Sequence, residues 1–331
     1  MLPSAQHSER FRRDLEALAG TPARLGLAVS GGPDSMALLL LAAAAFPGRV
    51  QAATVDHKLR QESMIEALHV EDICGRIGCP HAILEVTVPD WPGGLQAEAR
   101  TARYEALSRW ASAEGLDQLA TAHHADDQAE TVLMRLGRGS GVAGLAGIRP
   151  VRHEAELLLV RPLLGWRKSE LVHIVSQAGI AYVEDPSNGD ERFDRTAVRR
   201  FLAENRAVQP HRLARTAAAM READEGLSWA AERLWPERCT LTESECRIDP
   251  RGLPRELRRR LLKRAIRALR DVHDLRPAWS GAEDVDRLLA ALEKGETATR
   301  AGLIATAGTT WRLRLAPARR PVHSKRPLPD C

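Results

Sequence analysis

The chain has 331 residues, of which 44% are hydrophobic and 28% are charged, a composition that excludes a disordered protein and fits two domains of ordinary size. Its longest apolar run, Met36–Phe46, is too short to span a bilayer. The first residues lack the basic and apolar regions of a signal peptide, so we expect a cytoplasmic protein with no membrane partner.

The first half of the chain alternates short apolar strands with helical patterns. The pattern predicts strands at 25–29, 50–55, 81–88, 119–122 and 157–163, and helices at 35–45, 63–77, 96–113, 126–138 and 168–178. Such alternation is typical of an α/β fold with a parallel, doubly wound sheet covered by helices. In these folds ligands bind beyond the carboxyl ends of the strands.

The pattern changes near residue 205. Helices are predicted at 211–234, 254–271 and 282–292, followed by short strands at 301–305 and 310–315. The last residues are rich in proline and arginine. We therefore expect a catalytic domain at 1–205, a smaller and mainly helical domain at 206–316, and a loose tail at 317–331.

Positive charge comes almost entirely from arginine, although the net charge of +4 is only a weak indication of a nucleic-acid partner. The arginines concentrate in two segments, 192–215 and 251–270. Their planar fork suits phosphates and base edges. A GC-rich genome would produce the same bias, so both interpretations stay open at this point.

The cysteines argue against a disulfide framework and against a zinc or iron–sulfur site. Their number is odd and no two have CxxC spacing. They are Cys74, Cys79, Cys239, Cys246 and Cys331.

The segment Ser30-Gly-Gly-Pro-Asp-Ser35 joins the first strand to the first apolar helix. Two glycines let a backbone approach a ligand closely, and successive amides at a helix N-terminus form a cradle for phosphate. The Gly-Lys-Ser/Thr of a Walker A loop is missing. A Gly-Gly turn alone fits an ordinary strand–helix connection equally well, whereas Ser-Gly-Gly-x-Asp-Ser is more specific.

This segment resembles the pyrophosphate-binding loop of the N-type ATP pyrophosphatases, the PP-loop superfamily. The resemblance implies an adenine nucleotide alpha hydrolase-like fold and an enzyme that cleaves ATP to AMP and pyrophosphate. It also implies that Asp34 helps to bind Mg²⁺ and serves catalysis, although a helix N-cap would explain Asp34 as well. The residues implied to bind ATP are Ser30, Gly31, Gly32, Pro33, Asp34 and Ser35.

Further blocks follow in order along residues 24–202. They are Val55–Ser63, Ala99–Tyr104, Thr121–Thr131, Arg138–Gly141, Arg161–Leu164 and Glu184–Asn188, followed by Arg192, Arg195 and Arg199. This ordered series resembles the tRNA(Ile)-lysidine synthetase family. The longer members of that family carry a further domain, whose counterpart we do not find in this sequence.

The resemblance implies a two-step ligation that forms a carbon–nitrogen bond. The C2 oxygen of the wobble cytidine, position 34 of a CAU-anticodon isoleucine tRNA, attacks the α-phosphate of ATP and releases pyrophosphate. The ε-amine of free lysine then attacks C2 and displaces AMP. The product, lysidine, makes the tRNA read AUA as isoleucine. A homodimer is the assembly that the resemblance suggests.

Two pairs of charged residues fit this chemistry. Arg100 and Arg103 lie three apart on one helix, where they could bind substrate and, for Arg103, stabilise charge at the α-phosphate. A solvated helix face is the alternative. Asp127 and Glu130 could hold the ammonium of lysine, with Asp127 also taking part in catalysis. The alternative, given equal weight, is that these two acids only stabilise the N-terminus of the helix through its dipole.

Further expectations concern single histidines and arginines near these pairs. His123 and His124 are adjacent and should point apart, which argues against a zinc site that uses both, and His124 is the candidate to face the substrate. Arg192, Arg195 and Arg199 are expected to contact tRNA phosphates. Thr196 stands where the family usually has asparagine, so we attach no role to it.

Three other functions compete with this one. A tRNA thiolase of the same superfamily usually needs paired cysteines, which the sequence lacks. A small-molecule synthetase would need an ammonia source, and no glutaminase motif is present. An RNA-binding module that has lost catalysis is disfavoured by the intact Asp34 and Ser35.

Overall fold

The computed structural model describes residues 2–58, 62–86, 95–154, 157–183, 194–205, 207–277, 279 and 284–317. Contacts divide the chain into two compact units, Met1–Arg221 and Glu222–Cys331. The division falls inside a long helix, 16 residues beyond 205. The functional boundary at 205 therefore stays a prediction, and the predicted tail lies almost wholly outside the described residues.

A six-stranded sheet organises the first unit, with strand order β3-β2-β1-β4-β6-β5. All neighbouring pairs are parallel except β5 with β6, which is antiparallel. The predicted parallel α/β sheet is thus confirmed, with one added edge strand. The strands are β1 Leu25–Ala28, β2 Val50–Asp56, β3 His81–Glu85, β4 Gln118–Ala120, β5 Val151–Glu154 and β6 Leu157–Val160.

Helices cover this sheet and form two cores with it. The larger core takes apolar side chains from α1, α2, α3 and α7, whereas the smaller one packs α4 against the strands. The helices of this part are α1 Ala5–Ala19, α2 Pro33–Ala45, α3 Glu62–Ile77, α4 Leu95–Ala113, α5 Ala125–Gly137, α6 Val142–Leu145, α7 Lys168–Gln177 and α8 Asp194–Glu204. Helix α2 is nearly all apolar because it is buried on most sides.

The second unit combines helices with a five-stranded antiparallel sheet of order β7-β8-β11-β10-β9. The predicted helices and the last two predicted strands are present, and β7, β8 and β9 are additional. The elements are the end of α9 Pro210–Arg238, α10 Arg255–Val272 and α11 Asp286–Glu293, with β7 Cys239–Leu241, β8 Glu245–Ile248, β9 Thr297–Arg300, β10 Leu303–Thr306 and β11 Trp311–Leu315.

The arginines of α10 are held largely within this unit. Arg260 pairs with the buried Asp224 at 2.6 Å, and Arg259 pairs with Asp286 at 2.8 Å. Arg270 is buried and donates to backbone carbonyls, among them that of Leu275 at 3.1 Å. The enrichment at 251–270 is therefore explained in good part by internal packing.

Within the described part of the chain, no helix combines the length and the apolar character needed to cross a bilayer.

Helix α8 is joined to α5 by ion pairs around one buried carboxylate. Glu130 is 4% exposed. Its two oxygens accept from Arg195 Nε at 2.5 Å and from Arg199 Nε at 2.7 Å. A buried carboxylate needs such partners to remain charged. These contacts fix the position of α8 beside the beginning of α5.

We expect Glu130→Gln to lower the free energy of unfolding by about 1–3 kcal/mol, because two guanidiniums lose their shared counter-charge while remaining partly hydrated. Denaturant unfolding measures the loss. Glu222→Gln, at an exposed position of α9, is the matched control and should change stability by less than about 0.5 kcal/mol. Equal effects of the two changes would contradict the structural role of Glu130.

Candidate functional site

The loop after β1 is shaped by Gly31 and by a small hydroxyl network. Gly31 has φ +83°, a conformation that side chains rarely adopt. The Ser30 amide donates to Ser35 Oγ at 3.1 Å, and Ser35 Oγ donates to the Gly32 carbonyl at 2.9 Å. Pro33 opens α2, where its missing N–H is not needed. The positive end of the α2 dipole therefore faces this loop, as an anion site requires.

Asp34 lies in the first turn of α2 and faces the loop after β4. Its Oδ2 is 3.3 Å from Nε2 of His124. Its Oδ1 is buried and has no hydrogen-bond partner within the described residues. A buried carboxylate oxygen left without a donor is suited to a hard cation.

His124 connects the two loops. It is 3% exposed and caps α5, with Nδ1 lying 3.2 Å from the amide of Asp126. Asp127 completes the capping box by accepting from the His124 amide at 3.1 Å. Burial alone would lower the pKa of His124, but hydrogen bonds to Asp126 and Asp34 and the charge of Asp127 raise it to about 10. The imidazole thus lies among three carboxylates.

The two adjacent histidines have different partners. The Nδ1 atom of His123 lies 3.0 Å from Thr121 Oγ1, whereas His124 faces Asp34. Burial lowers the pKa of His123 to about 4. The charge of Asp127 opposes this shift, and the weaker effects of Arg161, Arg100 and Arg195 add to it. His123 is therefore a neutral ring within a cationic neighbourhood.

The acids expected to bind lysine are already paired with arginines. Asp127 Oδ1 accepts from Arg195 Nη2 at 2.9 Å, and Glu130 is bonded to both Arg195 and Arg199. Burial would lower the pKa of Arg195, but the bond to Glu130 and the charge of Asp127 raise it. The structure thus joins two groups of residues for which the sequence suggested separate roles. Arg192 and the block Glu184–Asn188 lie outside the described residues.

Arg100 and Arg103 are exposed on α4. The guanidinium carbon of Arg100 lies 5.1 Å from the ring centre of Tyr104. Burial lowers the pKa of His57, and the charge of Arg103 lowers it further. Since His57 follows β2 directly, Arg103 lies near the carboxyl edge of the sheet.

The sequence assigned no role to three further polar residues at the same edge. Asp56 is 2% exposed and accepts from the Lys58 amide at 2.8 Å. Asp126 accepts from the Lys168 amide at 2.9 Å. Arg161 is 4% exposed and donates to the Arg149 carbonyl at 2.6 Å. Their signal was present, because each belongs to one of the ordered blocks and lies at or after the end of a strand.

A hollow of about 650 Å³ in the second unit contains none of the predicted residues. It is bordered by Trp311, Arg258 and Glu293, among others. Its polar groups include the Arg258–Glu293 ion pair, with Nη1 and Oε1 at 3.1 Å. The candidate site is the loop-lined edge of the first unit and not this hollow.

Comparison with known proteins agrees with the geometry. Residues 5–206 match the PP-loop domain family. A tRNA(Ile)-lysidine synthase of Novosphingobium aromaticivorans is 44% identical over 319 residues, which cover 95% of each chain. The protein of the same name from Zymomonas mobilis is 39% identical, with 94% of each chain covered.

Among solved structures, a U34-tRNA thiolase from Methanococcus maripaludis superposes with a TM-score of 0.56. The sequence identity is 17%, and the superposition covers 66% of this chain and 79% of the thiolase. That likeness supports the fold alone. From the match to the family pattern and the identity to its relatives, this chain belongs to the tRNA(Ile)-lysidine synthase family of PP-loop proteins.

Proposed function

We propose that the chain ligates free lysine to C2 of the wobble cytidine of a CAU-anticodon isoleucine tRNA, with ATP converted to AMP and pyrophosphate. The observation that carries this proposal is the 44% identity to a tRNA(Ile)-lysidine synthase over 95% of both chains. Support also comes from the site, which presents an anion cradle next to a cluster of carboxylates. The product would read AUA as isoleucine.

The loop from Ser30 to Ser35 binds the phosphates of ATP in this proposal. The amides around Gly31 and the N-terminus of α2 face the same point, and both favour negative charge. Ser35 Oγ keeps the loop closed by its bond to the Gly32 carbonyl at 2.9 Å.

Mg²⁺ fits beside this loop. The buried Oδ1 of Asp34 has no hydrogen-bond partner among the described residues, so it is available as a ligand. No group of three or more acidic, histidine or cysteine side chains able to hold a metal occurs in that part of the chain. Mg²⁺ is commonly held by one or two carboxylates together with substrate phosphates. When bound, it would neutralise charge as pyrophosphate leaves.

In the first step of this proposal, Arg100 and Arg103 position the substrate and stabilise the negative charge that develops. The cytidine oxygen attacks the α-phosphate, and negative charge grows on the phosphate oxygens as pyrophosphate departs. Two exposed guanidiniums at the carboxyl edge of the sheet can offset that charge. In this proposal Arg103 stabilises charge at the reacting phosphate, and Arg100 binds the adenylated base.

Asp127 and Glu130 receive lysine for the second step. The ε-amine must lose a proton before it attacks C2, and a carboxylate is a suitable acceptor. In this proposal the ammonium approaches Asp127 at the rim, because Glu130 is more deeply buried and engages both arginines. His124 holds Asp127 in place through its amide, which donates to Oδ2 at 3.1 Å.

The tRNA contacts involve arginines of α8 and the residues after them. Arg195 and Arg199 remain candidates for phosphate contacts, but their bonds to Glu130 favour a positioning role. We assign residues 206–316 to tRNA binding, a homodimer as the assembly, and the cytoplasm, where tRNA is modified, as the location. The likeness between this chain and the solved thiolase extends to the fold only, so it does not support sulfur transfer by this chain.

Purified protein with ATP, Mg²⁺ and radiolabelled lysine should transfer lysine to an unmodified isoleucine tRNA transcript with a CAU anticodon. Elongator methionine tRNA, which shares the anticodon, is the control and should receive none. Asp34→Asn should reduce the transfer at least about 100-fold, because the ionised ligand near the phosphates is lost. AMP formation without lysine transfer would refute the lysidine assignment but would still support the proposed ATP site.

Gly31→Ala should raise the KM for ATP roughly tenfold, because a side chain at φ +83° forces the cradle amides to shift. Gly48→Ala is the matched control, since Gly48 also has positive φ, +72°, but lies in the turn between α2 and β2. Both changes should lower stability by about 1 kcal/mol. An unchanged KM for ATP in the first variant would contradict the proposed cradle.

Asp127→Asn should raise the KM for lysine roughly 10- to 100-fold, because the amide keeps an acceptor for the helix cap but carries no charge for the ammonium. Steady-state kinetics with lysine varied at saturating ATP and tRNA measure the effect. Asp72→Asn on α3 is the control. If the KM for lysine stays constant and only kcat falls, Asp127 acts on the proton and does not bind the ammonium.

A further inference from the structure

The α4 side of the six-stranded sheet is only partly covered. Of the described helices, α4 is the one whose side chains join the core on this face, where Leu107 and Ala111 meet strand residues such as Leu157 and Leu159. A groove of about 580 Å³ remains between α4 and the edge strand β5. Its walls come from both elements.

Register shows which residue of β5 faces this groove. Arg152 stands opposite Leu159 in the antiparallel pair β5–β6. Leu159 belongs to the core beneath α4, and side chains of paired residues project to the same face of a sheet. Arg152 therefore projects toward α4.

The groove has a cationic lining. Arg100 and Arg109 contribute from α4 and Arg152 from β5, and all three are exposed. Glu105 is the single carboxylate of the residues that line it. Nine residues separate Arg100 from Arg109, which corresponds to about 14 Å along a helix axis. Thr101, Tyr104 and Ser108 add hydroxyl groups between these charges.

This groove begins near the candidate site, because Arg100 lines the groove and its charge acts on His123. Helix α4 follows the parallel strand β3, so it starts at the carboxyl edge of the sheet and runs back along the strands. Arg100 lies near that start and is also the predicted substrate residue. Its charge contributes to the lowered pKa of His123 at the same edge. A ligand that enters the site along α4 therefore passes Arg109 first and reaches Arg100 beside the site.

We propose that this groove binds the ribose–phosphate backbone of the anticodon arm that presents the wobble cytidine. The inference rests on the proposed function and adds a path for the RNA. Three cations around one groove, two of them about 14 Å apart along the axis of α4 and the third on β5, suit a chain of phosphates better than a single anion. Arginine forks bind phosphate oxygens in pairs, and the hydroxyls between them suit the sugar and phosphate oxygens of RNA.

Binding of a fluorescent anticodon-arm hairpin, measured without ATP or lysine, tests the groove directly. Arg109→Gln and Arg152→Gln should each weaken binding roughly five- to tenfold. Each should also reduce the slope of log Kd against log salt concentration by the amount expected for about one phosphate contact. Ser108→Glu, which places a negative charge between them, should weaken binding by at least as much. Arg76→Gln on α3, in the other core layer, is the exposed control and should bind as the parent does.

Two outcomes would overturn the inference. Unchanged affinity and salt slope in Arg109→Gln, Arg152→Gln and Ser108→Glu would show that the RNA follows another surface, even if lysine transfer is intact. A loss of equal size in Arg76→Gln would show a non-specific charge effect. If the parent binds the hairpin through the groove but transfers no lysine, the groove stands and the proposed function fails.

Discussion

The buried carboxylate of Glu130 is the constraint on which the site depends. It is 4% exposed, and a polar group so deeply buried requires partners, which come from α8, more than sixty residues later in the chain. Arg195 extends the network to Asp127, which in turn caps α5 through the amide of His124. His124 lies beside Asp34 on the nucleotide loop. This network of charged groups thus holds the loops after β1 and β4 and helix α8 together at one edge of the sheet.

Arginine has two distinct uses in this chain, and composition alone cannot separate them. In α10 the guanidiniums are used within the fold, as in the pair of Arg260 with buried Asp224 at 2.6 Å. On α4 the guanidiniums of Arg100 and Arg109 face solvent in a groove. The denser cluster in the sequence is therefore the more structural one. A run of arginines indicates nucleic-acid binding only when the fold does not already supply acidic partners for it.

Sequence was most informative where the responsible contacts are local or periodic. The apolar strand β1 and helix α2 predict the sheet and the loop between them, and the spacing of Ser30, Gly31 and Ser35 defines the cradle. It was least informative for short polar strands. β5 (Val-Arg-His-Glu) and β9 (Thr-Ala-Thr-Arg) have too little apolar alternation to be recognised and are held by pairing with a neighbour. The Arg195–Glu130 pair joins residues far apart in sequence, and no local spacing encodes which carboxylate an arginine will meet.

The proposed reaction needs a site that accepts opposite charges side by side. ATP and RNA bring negative charge, whereas lysine brings an ammonium that must approach the adenylated base. The structure separates these demands by element: the α2 N-terminus, Arg100 and Arg103 offer positive potential, and the start of α5 offers carboxylates. Guanidiniums from α8 are paired with those carboxylates, so an entering ammonium joins an existing network of ion pairs. In the proposed reaction this arrangement would select lysine by its charge, beside the nucleotide loop but outside it.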